Sequence, residues 1–115
     1  MNQKIKIDKT KFKDDKVNVE LIVSVDEFRL VYFYLKKGQK VKSHASKSHV
    51  VLTVLKGKAK FFKGDEENFD ILKEGEGIYY PPLAPHGFQA LDDTIIQAFI
   101  SPNPVKKEFV SLENI

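Results

Sequence analysis

Alternation of apolar and polar residues dominates the first third of the chain. Val17, Val19, Leu21, Val23 and Val25 share one parity, with Asn18, Glu20 and Ser24 between them and Ile22 the single lapse. A period of two is the signature of an extended strand with one face covered. Residues 28–35 (FRLVYFYL) are almost all apolar and aromatic, as a strand covered on both faces requires. The same reasoning predicts strands over 50–55 (VVLTVL), 59–62, 69–72, 78–80 and 94–100 (TIIQAFI). Turn signals separate them: Lys37-Gly38, Lys56-Gly57-Lys58, a charged hairpin turn over 63–68 around Gly64, Gly75-Glu76-Gly77 and Asp92-Asp93. Pro81, Pro82 and Pro85 force a loop, and residues 43–49 (SHASKSH) read as a second, polar one. No window sustains helical spacing; the nearest is 105–112. Short strands at regular spacing predict an all-β sandwich or small barrel.

Composition narrows the chemistry. A chain of 115 residues and 13.2 kDa is one domain that buries roughly two thirds of its unfolded surface. The expected layout over 1–115 is a basic leading arm (1–16), a barrel and a short tail (101–115). The absence of cysteine excludes disulfides, thiolate metal sites, iron–sulfur clusters and a cysteine nucleophile. It also fits a reducing compartment, and the first residues (MNQKIKIDKTKFKDD) show no apolar leader. A cytoplasmic location is therefore expected. The longest apolar runs are about eight residues, too short for a membrane helix.

Charge is uneven. Residues 36–63 hold nine lysines and no acid, whereas 64–76 hold six acids and Lys73. Two explanations fit the basic block: a solvated strand edge that resists aggregation, or a surface for anionic partners. Arginine, the bidentate reader of phosphate and guanine, occurs once, as Arg29, and no nucleic-acid-binding signature accompanies it. Nucleic acid is therefore not expected as a partner. Asp65, Glu66 and Glu67 are assigned to solvation of a turn rather than to calcium.

Three histidines carry the candidate chemistry: His44, His49 and His86. Imidazoles brought together at one mouth of a barrel make a transition-metal site, and the same residues also serve as ordinary surface or half-buried groups. Their surroundings resemble the cupins, small jelly-roll (double-stranded β-helix) barrels. The first cupin motif, G-x5-H-x-H-x3-E-x6-G, is matched by Gly38, His44 and Gly57, with Ser46 at the second histidine and Val50 at the glutamate. The second, G-x5-P-x-G-x2-H-x3-N, is matched by Gly75, Pro81 and His86, with Leu83 at the glycine and Ala90 at the asparagine. The resemblance covers about residues 30–100 and implies a single small jelly-roll barrel. Gly38, Gly57 and Gly75 fall where turns favour positive φ.

The resemblance implies a divalent transition metal (iron, manganese, nickel or zinc) held by three histidines and a glutamate. Only His44 and His86 survive in register. His49 lies one place before the glutamate position; alternation aims it away, and a bulge within 45–48 would bring it back. A His44–His49–His86 set would suit zinc, copper or ferrous iron. Inward parity adds a pocket of Phe33, Ser46, Val50, Leu52, Val54, Tyr80, Phe88, Gln97 and Phe99, either an apolar cavity or a filled core. Tyr79, Tyr80 and Gln97 are candidates to orient a substrate and, equally, to satisfy one another. Two functions stand side by side: a metal-binding cupin, with oxygenase, isomerase or lyase chemistry on a small molecule, or a metal-free module that binds or senses a small molecule. A homodimer built through 17–25 and 4–7 is expected.

Overall fold

The inner faces of two antiparallel sheets meet to form the core. The structure, a computed structural model, describes residues 2–104. The strands are β1 (Asn18–Ser24), β2 (Arg29–Leu35), β3 (Lys40–His44), β4 (His49–Lys56), β5 (Lys58–Lys63), β6 (Asp65–Lys73), β7 (Gly77–Tyr80), β8 (His86–Ala90) and β9 (Thr94–Ser101). One sheet runs β1-β2-β9-β4-β7 and the other β3-β8-β5-β6. This is the jelly-roll architecture expected from the sequence. Among the described residues no helix is long and apolar enough to cross a membrane.

Parity sets the core. Val31, Phe33 and Leu35 of β2 face the second sheet, with Val50, Leu52 and Val54 of β4 and Ile96, Ala98 and Ile100 of β9 beside them. Phe61, Phe88 and Ala90 come from the opposite sheet. Tyr32 and Tyr34 point the other way yet are also buried, with Ile95. Phe12 from the leading arm covers them, its ring meeting Tyr34 edge-on at 5.6 Å. The Tyr34 hydroxyl donates to Glu20 and accepts from the Asp8 backbone N–H. The arm therefore explains why β2 is apolar on both faces. Ile22, the lapse in the alternation, lies at the register shift of β1 and packs against this outer cluster.

Two expectations change. Residues 40–44 form β3, so the loop before His49 is only 45–48. The turn after β5 is Gly64 alone; β6 starts at Asp65, because pairing resumes at Lys63↔Asp65. Asp65 then uses its carboxylate to accept the backbone N–H groups of Glu67 and Asn68, a local cap. The helix considered at 105–112 lies outside the described residues. The basic block is partly neutralised by Lys36–Asp14, Lys40–Glu66 and Lys63–Asp70 pairs.

Tyr80 ties the sheets together. Its hydroxyl, on β7, donates to the Phe62 carbonyl on β5 at 2.6 Å. Burial, reinforced by the Asp70 charge, pushes the phenol up to about 12. The unfolded chain therefore ionises this group first, from about pH 10, and its contribution to stability is present below that pH and lost as pH rises toward 12. Tyr80→Phe is expected to cost about 1–2 kcal/mol near neutrality by orphaning the carbonyl. In chemical denaturation it should also flatten the alkaline loss of stability relative to wild type.

Candidate functional site

The site begins with a mismatch in strand register. β3 pairs with β8 as Lys40↔Gln89 and Val41↔Phe88, then slips before His44↔His86. Lys42 and Ser43 together oppose Gly87, a bulge that absorbs one residue. Val41 and His44 are three apart, so simple alternation would send them to opposite faces; the bulge lets both line the interior. Gly87 makes this possible. A Cβ there would lie 2.6 Å from the Ser43 nitrogen and 2.8 Å from the Val41 carbonyl oxygen. Sequence reading passed over Gly87, whose one signal was a glycine beside a candidate ligand within an apolar run.

The two imidazoles face each other with ring centres 4.3 Å apart. His44 Nδ1 bonds the Lys42 carbonyl at 3.1 Å and His86 Nδ1 the Ala84 carbonyl at 3.2 Å. A carbonyl accepts only, so each Nδ1 carries the proton, and in the neutral ring each Nε2 keeps its lone pair. His44 Nε2 is buried without a hydrogen-bond partner among the described residues. His86 is 4% exposed, and burial lowers its pKa, with His44 adding to the effect against the Ala84 bond. His86 is therefore neutral at pH 7. Tyr80 packs on it at 5.5 Å.

Both rings line a cavity of about 10 Å³ with Phe33, Val41, Val50, Leu52, Phe88, Ala98 and Ile100. That is room for about one water or one bare ion. Among the described residues the alternative of cavity or filled core resolves to a packed core with a small void at the histidines. Val54 belongs to the packed core. Tyr80 is committed to the Phe62 carbonyl rather than to a substrate.

Four predicted site residues lie elsewhere. His49 is exposed on the outer face of β4, where Nδ1 meets the Tyr79 hydroxyl at 2.8 Å and the rings stack. The bulge sits in β3 rather than within 45–48, so nothing reverses the parity of His49 relative to buried Val50. Gln97 and Phe99 share the outer face of β9, opposite Ala98 and Ile100; Phe99 packs on Phe28. Ser46 stays in its loop, its carbonyl accepting the Leu83 N–H at 2.7 Å. That bond joins the loop that follows His44 to the loop that precedes His86. Leu83, at the motif's glycine position, has φ +71°, the left-handed conformation that glycine suits.

The donor set fits a borderline divalent cation in part. Two neutral imidazole nitrogens suit zinc, copper, nickel or ferrous iron. No third histidine or carboxylate joins them among the described residues.

Comparisons agree with this architecture. No protein-family model matches the chain. An uncharacterized protein of Methanocaldococcus jannaschii is 28% identical over 90 residues, which cover 76% of this chain and 77% of that protein. An RmlC-like cupin from Desulfovibrio desulfuricans superposes with a TM-score of 0.81 at 26% identity, covering 90% of this chain and 98% of its own. A Bacillus subtilis oxalate decarboxylase variant gives 0.69 at 21% identity over 78% of this chain, which spans 26% of that larger protein.

Two substitutions test the local geometry. Gly87→Ala is expected to cost about 1–3 kcal/mol and to pull the rings apart, abolishing the His44–His86 ring contact in nuclear Overhauser spectra. Leu83→Gly should be neutral to stabilising by about 1 kcal/mol, since it relieves the left-handed residue at some cost in chain entropy. Thermal denaturation measures it.

Proposed function

On the premise that the chain belongs to the cupin superfamily, we propose that His44 and His86 form a two-nitrogen site for a divalent transition metal at the barrel mouth. The observation that carries this reading is the Nε2 of His44, buried without a hydrogen-bond partner among the described residues, in a ring that touches His86 and with it lines a void of ion size. Zinc, copper, nickel and ferrous iron suit imidazole; the lack of a carboxylate at Val50 disfavours manganese. When bound, the metal supplies Lewis acidity at coordination positions the protein does not fill. The chain's own residues do the rest. The Lys42 and Ala84 carbonyls fix both tautomers and ring orientations. Val50, Leu52 and Phe88 keep the surroundings apolar and restrict water.

A metal-free module is the second reading, favoured by Ser46 and Val50 at two of the four usual ligand positions. Its ligand would have to bind at the mouth rather than in the filled interior.

Elemental analysis and calorimetric titration with zinc, nickel and cobalt decide between them. The expected result is one metal per chain, with affinity reduced at least about tenfold in His44→Ala and in His86→Ala and unchanged in His49→Ala. No uptake of any of these metals retires the metal site. Uptake lost in His49→Ala moves the site to the His49–Tyr79 pair.

A further inference from the structure

Arg29 is the only arginine in the chain, and it is 2% exposed. It opens β2 on the parity of Val31, Phe33 and Leu35, so its side chain leaves the strand toward the interior. Register places it in one row with Ile100, Val50 and Tyr80. This row closes the barrel at the end where loops 45–48 and 101–104 lie. Among the described residues no carboxylate pairs with the guanidinium. Its Nε is buried without a hydrogen-bond partner. The acids nearest in sequence, Asp26 and Glu27, are exposed.

A guanidinium cannot escape this situation by losing its proton. Burying it beside Ile100 and Val50 without a counter-charge is unfavourable, and a water would satisfy a donor without balancing the charge. Among residues 2–104 no anion supplies the missing counter-charge.

We propose that Arg29 is an anion anchor that takes the carboxylate of a small organic acid entering between loops 45–48 and 101–104. A planar carboxylate matches the fork of Nε–H and a terminal N–H. One positive charge in an apolar row balances a monoanion better than a phosphate dianion. At this end of the barrel, between the two loops, lies a cavity of about 300 Å³ lined by Lys47, Ser48, Pro102, Asn103 and Pro104, room for the body of a small acid. Asn103 of its lining donates to the Ser24 hydroxyl, and Ser24 pairs with Arg29 across β1 and β2. The anchor does not depend on a metal at the histidines.

Because the arginine is unique, its Nε–Hε group gives a single correlation in a ¹⁵N spectrum of the full chain. That signal is followed during titration with sodium acetate and sodium benzoate, with sodium chloride and sodium phosphate as controls. A saturable shift with a carboxylate, absent with chloride, is the expected result. Arg29→Lys keeps the charge but loses the fork and should weaken binding at least about tenfold. Arg29→Met should raise the melting temperature in chloride buffer and abolish stabilisation by carboxylates. No saturable shift with either carboxylate overturns the proposal, and because the titration uses the wild-type chain, that outcome stands even if a variant fails to fold. A shift with phosphate alone overturns the carboxylate assignment. Carboxylate stabilisation that survives in Arg29→Met places the anion elsewhere and overturns it too.

Discussion

The contact between Phe88 and Phe33 orients everything around the site. Phe88 stands on the inner face of β8, meets Phe33 of the opposite sheet edge-on at 5.2 Å, and packs on Phe61 of its own sheet at 5.6 Å. Aromatic rings in this geometry gain more than buried area alone supplies. Once Phe88 is committed inward, strand geometry commits His86, two residues earlier, to the same side. The partner imidazole has no such guarantee. It reaches the interior because β3 bulges against Gly87, so a packing contact and a missing side chain on adjacent residues together make the histidine pair.

Burial defines what this pair can do. Both rings have given one nitrogen to a backbone carbonyl, leaving the other as a donor of electrons in apolar surroundings. A second polar demand, from the Arg29 guanidinium, stands near the same end of the barrel. Groups so placed cost stability in an empty core, and the other buried polar side chains among the described residues, Ser48, Thr94 and Asn103, are hydrogen-bonded. The site is thus set apart by unmet polar chemistry rather than by volume.

Much of the fold was legible in the sequence. Alternation located β1, the double-sided burial of β2 was visible in FRLVYFYL, and glycines and prolines located turns. His44 and His86 were legible because each sits at a fixed distance from a turn glycine. His49 was misleading, since deciding its face required knowing where the bulge lay, and a bulge is a relation between two strands. Gln97 and Phe99 were misjudged for a related reason. Ile95 and Ile96 are both fully buried, one under the leading arm and one in the core, so the run TIIQAFI hides its parity. β3 escaped notice because its alternation is carried by lysines and a single valine.

The leading arm covers the back of the five-stranded sheet without joining it as a strand. It holds on through Phe12, a few hydrogen bonds and an ion pair between Lys11 and Glu20. A cover attached by side chains leaves the ladder beneath it independent of its exact path. A change in the path of that segment therefore leaves the register that aligns the histidines in place, so long as an apolar side chain still covers Tyr32, Tyr34 and Ile95. The barrel carries its chemistry on one side of a wall and its freedom to diversify on the other.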